Sequence, residues 1–418
     1  MLRFAALLLL TASWTLRASA DDWTQWRGPN GNNTAAAQPA VPTEWDENKN
    51  VVWKTSVPGR GHSSPIISGN MIILTSADEA TQRQGVFAFD RTTGQSLWGT
   101  VISQGGFPKS HAKNTHASAT ACTDGQRIYA TFCHHNSIEA VALDLKGKTI
   151  WQQPVGGFLP RQYEYGYAAS PTLYGKTLIV SGDCDTVAWI KALDTQTGKI
   201  VWEQQRPQML NWSSPIVANV SGREQLIISG CECIASYDPA TGKPLWKHPC
   251  LTMATCGTVV WDDDTIYASG GYPKKETVAM KADGSGQILW TNGVKCYEQS
   301  MLIRDGSLYA VDDNGVAYCW EAKTGRERWK QRLQGPVSAS PLLIDDTIYA
   351  SNELGTTFIF KASPDRFTAI SRNQLGTESF ASPVAVDGIL YLRVAAGQGT
   401  DRREMLFAIG SQSSKRNE

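Results

Sequence analysis

The sequence has no excess of either charge. Its 418 residues carry 39 Lys and Arg against 39 Asp and Glu, so a net basic field of the kind that draws nucleic acid is absent, although a balanced total leaves local patches open. Past the first twenty residues no stretch approaches the roughly 18 apolar residues needed to cross a bilayer as a helix. A sustained helical period is almost nowhere found. No cysteine precedes Cys122, and the total of nine is odd, so at least one thiol is free or pairs between chains. The spacings, such as Cys231-Glu232-Cys233 and Cys250 to Cys256, match neither a compact disulfide scaffold nor a zinc ribbon. The expectation is of small buried residues, with room for one or two bridges. No Gly-x-Ser-x-Gly, His-Glu-x-x-His, P-loop or EF-hand pattern occurs.

The N-terminus reads as a targeting segment. Arg3 precedes an apolar stretch from Phe4 to Leu16, and Ala18-Ser19-Ala20 fits a small-x-small cleavage site. This predicts a signal peptide over 1–20, a leader over 21–49, and export to the periplasm or the extracellular space. No cysteine lies near the cleavage site to carry a lipid anchor.

Tryptophan is what the chain has in abundance: 15 residues, spread along its length. They mark a repeat. Phe89-Asp90-Arg91-Thr92-Thr93-Gly94 leads to Trp98, and Leu193-Asp194, Thr197-Gly198 and Trp202 follow the same plan, as do Tyr237-Asp238, Thr241-Gly242 and Trp246. Trp98, Trp151, Trp202, Trp246, Trp290 and Trp329 follow one another at intervals of 39 to 53 residues. Each unit opens on small residues, as at Ser64-Pro65, Ser170-Pro171, Ser214-Pro215, Ser340-Pro341 and Ser382-Pro383, with Ala119-Thr120, Gly257-Thr258 and Ser300-Met301 standing in elsewhere. A turn and an aliphatic-aromatic run come next, as in Asp124-Gly125-Gln126-Arg127-Ile128-Tyr129-Ala130.

Each unit therefore reads as four strands, A to D. The Asp-x-x-Thr-Gly element makes the C–D turn, where Asp caps with its side chain and Gly tolerates positive φ. The Trp on strand D packs between sheets. Four-stranded sheets at this period describe an all-β, eight-bladed β-propeller over 50–410, with a polar tail at 411–418. The last unit, from about Ser382 to Ile409, lacks its strand D. Asn50 to Thr55, including Trp53, supplies that strand and closes the ring, removing the open edge. The seventh unit lacks the Trp, and Phe367 or Ile370 is expected in its place.

This repeat resembles that of the quinoprotein-type (PQQ-like) β-propellers over about residues 50–410, and Trp23-Thr24-Gln25-Trp26-Arg27-Gly28-Pro29-Asn30 is similar to the N-terminal segment of exported bacterial members. The resemblance implies one of two functions. The dehydrogenase branch holds pyrroloquinoline quinone over a Trp floor, with an adjacent cysteine pair, a calcium on oxygen ligands and a general-base Asp. This chain has no adjacent cysteines, and its repeated aspartates sit at turns. The other branch is non-catalytic and similar to the outer-membrane assembly factor BamB. The expectation is accordingly a monomeric, exported binding or scaffold protein with protein partners in the cell envelope, no nucleic acid partner, no metal and no cofactor. A quinone-dependent oxidoreductase is the alternative.

In a propeller the D–A and B–C loops share one face and the A–B and C–D turns the other. The long connections, read as Gly99 to Ala117, Gln152 to Ala168 and Glu203 to Trp212, are of the D–A kind. All six histidines, His62, His111, His116, His134, His135 and His248, are expected in D–A or B–C segments. Long loops on a rigid scaffold are where binding tends to sit. The candidate partner-binding residues are His62, His116, His134, His135, Tyr163, Tyr165, Tyr167, Asp183, Asp185 and Glu298. For His62 and His116 a structural hydrogen-bonding role stands open beside binding, and for the tyrosine run packing over the blade does.

Overall fold

The structure, a computed structural model, describes residues 22–411. The expected signal peptide and most of the polar tail lie outside the described residues. The strands group into eight sheets arranged as consecutive blades: 66–104, 122–157, 172–205, 216–249, 260–292, 302–332, 342–374, and 384–409 completed by Val51–Val57. Closure is as the sequence predicts. Val51–Val57 pairs antiparallel with Arg403–Ile409, and the Gly410 amide donates to the Asn50 carbonyl at 2.9 Å. Blade 7 departs from four strands, because Thr34–Ala35 adds a short parallel strand beside its inner strand Leu342–Ile344.

The blades form because their inner strands can be dry on both faces. Leu342–Ile344, Val384–Val386 and Ile66–Ser68 are buried throughout. The outermost strands face water on one side, so Ile200–Gln205 alternates around a buried Trp202. That half-polar pattern hides where strand D stops. Blades 1 to 3 end at Gln104, Gly157 and Gln205, and the connections are accordingly shorter than the sequence suggested.

The strand-D tryptophans join blade to blade. Trp151 rests on Gly198 of the next blade, where an added Cβ would lie 2.7 Å from its ring. Gly198 also has a φ of 71°, so both space and conformation call for glycine there. The indole Nε1 donates to the carbonyl of Thr195 at 2.9 Å. Trp53, Trp98, Trp202, Trp290 and Trp329 make the same hydrogen bond to Arg91, Leu145, Pro239, Ala322 and Ser363. Trp246 instead donates to the side chain of Gln225.

Blade 7 corrects the sequence expectation. Phe367 packs edge-on against Trp329, 5.5 Å between centroids, and so receives the previous blade's indole. Ile370 is exposed. The missing Trp is replaced by Trp45 from the leader, 4% exposed and stacked on Tyr349 at 6.3 Å. Strand-D tryptophans elsewhere meet the tyrosine of their own blade at nearly the same distance, as Trp151 does Tyr129 and Trp329 does Tyr309. The Trp45 amide donates to Asn373 Oδ1 at 3.0 Å, which holds the segment on strand D.

The nine cysteines are all free thiols, seven of them buried, so no bridge of the expected kind forms. His248 also departs from expectation. It lies within strand D of blade 4, Pro244–Pro249, stacked on Trp246.

Candidate functional site

The start of every strand A contributes to a ring of hydroxyls around the channel. The backbone N–H of Ser64 donates to Thr120, Thr120 to Ser170, Ser170 to Ser214, Thr258 to Ser300, Ser300 to Ser340, Ser340 to Ser382, and Ser382 back to Ser64, all at 2.9–3.0 Å. The hydroxyl of Thr258 accepts from a different donor, the indole N–H of Trp26 at 3.0 Å. Sequence reasoning found all eight positions as strand openers and missed that their side chains form one structure.

Trp26 arrives from the leader, which crosses the turn face. Trp23 bridges to Ile67 of blade 1, the Thr24 carbonyl accepts from Thr123 of blade 2, Arg27 donates to Met301 at 2.9 Å, and Asn33 donates to Pro341 of blade 7. Arg27 is fully buried. The leader thereby closes one end of the channel, and Trp26 lines the cavity left above it.

That cavity, about 320 Å³, is bordered by Trp26, His62, His111, Lys113, Asn114, Tyr165, Trp212, Cys256, Tyr297, Glu298, Phe380 and members of the hydroxyl ring. It opens among the D–A connections, which supply most of its wall. The aromatic groups are ordered against one another: His62 stacks on Phe380 at 4.3 Å, Tyr165 on Trp212 at 5.7 Å, and His111 meets Tyr165 edge-on at 4.8 Å. The Tyr163 and Tyr272 hydroxyls lie 3.2 Å apart and extend this aromatic surface outward.

Charge in the wall and just behind it is nearly matched. Lys113 pairs with Glu353 at 2.7 Å and Lys295 with Asp313 at 2.8 Å. Glu298 makes no ion pair among the described residues, and burial pushes its carboxyl above the ordinary value. His62 is kept neutral by burial and by Arg60, Arg393 and Arg402, which hold its pKa well below the ordinary value. Its Nε2 is buried with no hydrogen-bond partner among the described residues.

Of the predicted site residues, the structure brings His62, Tyr165 and Glu298 together in this cavity. It places the others elsewhere. His116 is engaged by Glu79 and the Pro108 carbonyl, both at 2.8 Å, and stacks on Phe107. His134 bonds Glu139, and His135 lies beside it at the B–C turn. Tyr163 stands outside the cavity. Tyr167 is buried, donating to the Ser181 carbonyl. Asp185 accepts the Arg161 and Gln162 amides and so ties down the tyrosine loop. Asp183 is not an exposed loop residue. It is 3% exposed and pairs with the buried Arg206 at 2.8 Å.

The lining does not fit a polyanionic quinone. Its one lysine is already committed to Glu353, and its unpaired charge is a carboxyl. Among the described residues no cluster of three or more His, Cys, Asp and Glu is arranged to hold a metal.

The sequence pattern of the family described as "Outer membrane protein assembly factor BamB" matches residues 14–165, 84–315 and 274–374. The chain is 26% identical over 378 residues to the outer membrane protein assembly factor BamB of Burkholderia pseudomallei (strain K96243), covering 85% of this chain and 90% of that one. Among solved structures, BamB from Moraxella catarrhalis superposes with a TM-score of 0.60 at 17% identity, covering 86% of this chain and 99% of that one. A europium-containing methanol dehydrogenase superposes at 0.66 with 12% identity, covering 93% and 98%. At such identities these two structures establish the fold alone.

Proposed function

Because the chain belongs to the PQQ-like β-propeller family of the outer membrane protein assembly factor BamB, we propose that it is an exported, non-catalytic scaffold that binds protein partners of the cell envelope through its loop face. The observation that carries this reading is the asymmetry of the ring. The turn face is crossed and sealed by the leader, whereas the loop face presents ordered aromatic side chains around an open cavity. Aromatic groups held rigid on a polar-rimmed surface are what protein interfaces use as anchors. The match to the Burkholderia protein over 85% of this chain supports the same role.

The test is capture of neighbours by the exported protein, repeated with Tyr165→Ala on the loop face and with Lys243→Ala and Arg326→Ala on the turn face. Loss of the partner with the first and retention with the other two is the expected result. The reverse pattern refutes the face assignment. Quinone-dependent, dye-linked oxidation of an alcohol or sugar by the protein reconstituted with pyrroloquinoline quinone and calcium would replace the scaffold by the oxidoreductase. The lining chemistry argues against that outcome.

A further inference from the structure

The mouth cavity combines two properties that are costly apart. Its walls are aromatic faces, and one of its polar groups, Glu298, is a carboxyl that makes no ion pair among the described residues, with Lys113 near enough to favour its charged form but bonded to Glu353. On the Glu298 side three acids, Glu298, Glu353 and Asp313, meet two lysines, Lys113 and Lys295, and both lysines are already paired. The arginines Arg60, Arg393 and Arg402 lie on the His62 side of the cavity, the last two paired with Glu404 and Glu378. At the half-buried Glu298 carboxyl the cost of desolvation outweighs what Lys113 and a hydrogen bond from Ser338 return, and its pKa is raised. The aromatic quadrupoles present their negative faces and favour a cation over an anion.

We propose that this cavity receives a single organic cation, a guanidinium or ammonium group, carried on a side chain of the partner polypeptide. The proposal rests on the loop-face reading and makes it specific. The cation completes the compensation that Lys113 gives Glu298 only in part, while its flat or alkylated body lies against Tyr165 and Trp212. At about 320 Å³ the space is at the small end of pockets that take small molecules, roughly 300–1,000 Å³, and so suits one inserted side chain rather than a folded element. A planar guanidinium stacks on aromatic faces and meets a carboxylate with two parallel donors, and the site offers both surfaces.

The experiment is calorimetric titration of the full exported protein with N-acetyl-argininamide and with its neutral isostere N-acetyl-citrullinamide. The arginine compound should bind and the citrulline compound should bind at least tenfold more weakly. Glu298→Gln should remove the preference, and Tyr165→Leu should weaken the arginine compound severalfold. Glu232→Gln, which removes an acid from the same face outside the cavity, should change nothing. Each variant is first checked by its melting curve. Should Glu298→Gln fail to fold, the Tyr165 variant and the citrulline comparison still decide. Equal binding of the two compounds, or an unchanged preference in Glu298→Gln, overturns the cation site. Butylguanidinium binding as tightly as the argininamide overturns the assignment to a polypeptide side chain. Because these titrations need no partner, a failed cation site with intact partner capture leaves the scaffold reading standing. Lost capture leaves the cation result to be judged alone.

Discussion

Asp183 shows how a single residue misleads when only its position in the chain is known. It stands at a B–C turn, where polar residues are expected to be exposed. In the ring this turn packs inward, and Asp183 accepts from Arg206 Nε and Asn211 Nδ2. Removing one member of a buried ion pair leaves the other charge uncompensated, so Asp183→Ala should cost about 3–5 kcal/mol. Chemical denaturation measures this, and a loss below about 1 kcal/mol would contradict the buried pair. His62 makes the second residue-scale prediction. Burial, then Arg60, Arg393 and Arg402, lower its pKa. Between the folded and unfolded pKa values the unfolded chain binds more protons, so stability rises with pH through that window. The contribution is complete above the unfolded value of about 6.5 and is lost as pH falls toward the depressed folded value. His62→Gln should flatten this acid limb in melting temperatures taken from pH 7.5 down to 5. His116 bears on the control. Burial alone would lower its pKa, but hydrogen bonds to Glu79 and Pro108 outweigh that and raise it. It therefore favours the folded state at low pH, and the limb must be judged by the difference between wild type and variant.

At the scale of elements, the sequence shows what repeats and hides what substitutes. Strand order, the Asp-capped turns and the closing strand are legible because each is a local pattern copied many times. In three of those turns, at Asp90, Asp194 and Asp238, Oδ1 accepts the amides two and three residues further on. The seventh blade is illegible for the same reason. Trp45 reaches Asn373 from 328 positions away and belongs to a segment with no strand pattern, so nothing in register announces it. The cavity is legible only in part. Its wall comes from eight D–A connections of unlike length, and Trp26 and Trp212 look like any other tryptophan until the ring closes. If Trp45 does the work of a strand-D indole, Trp45→Ala should cost about 3–5 kcal/mol, as truncation of a buried Trp does. The exposed Ile370→Ser should stay within about 0.5 kcal/mol. Similar losses from the two, measured by denaturant midpoint, would mean that the leader only lies on the blade.

For the molecule as a whole, one joint differs from the other seven. Blades 1 to 7 each complete their outer strand from contiguous chain, whereas blade 8 borrows Val51–Val57 from the other end of the ring. Trp53 extends that joint into blade 1, its Nε1 donating to the Arg91 carbonyl at 3.0 Å. The borrowed strand is thus bound on one side by its ladder to Arg403–Ile409 and on the other by an indole. Two adjacent prolines, Lys54→Pro with Thr55→Pro, necessarily delete at least one ladder donor and disfavour the strand. The same lesion in the outer strand of blade 4, Lys247→Pro with His248→Pro, damages an edge still tethered by chain on both sides. Both variants should melt below wild type. Only the first should leave Arg403–Ile409 as a free edge next to an open gap, and free edges pair between molecules. Sedimentation velocity across a concentration series should therefore show association for the blade 8 variant and none for the blade 4 variant. If both remain monomeric and melt together, the ring is held by the blade-to-blade tryptophans alone, and the borrowed strand serves only to fill its sheet.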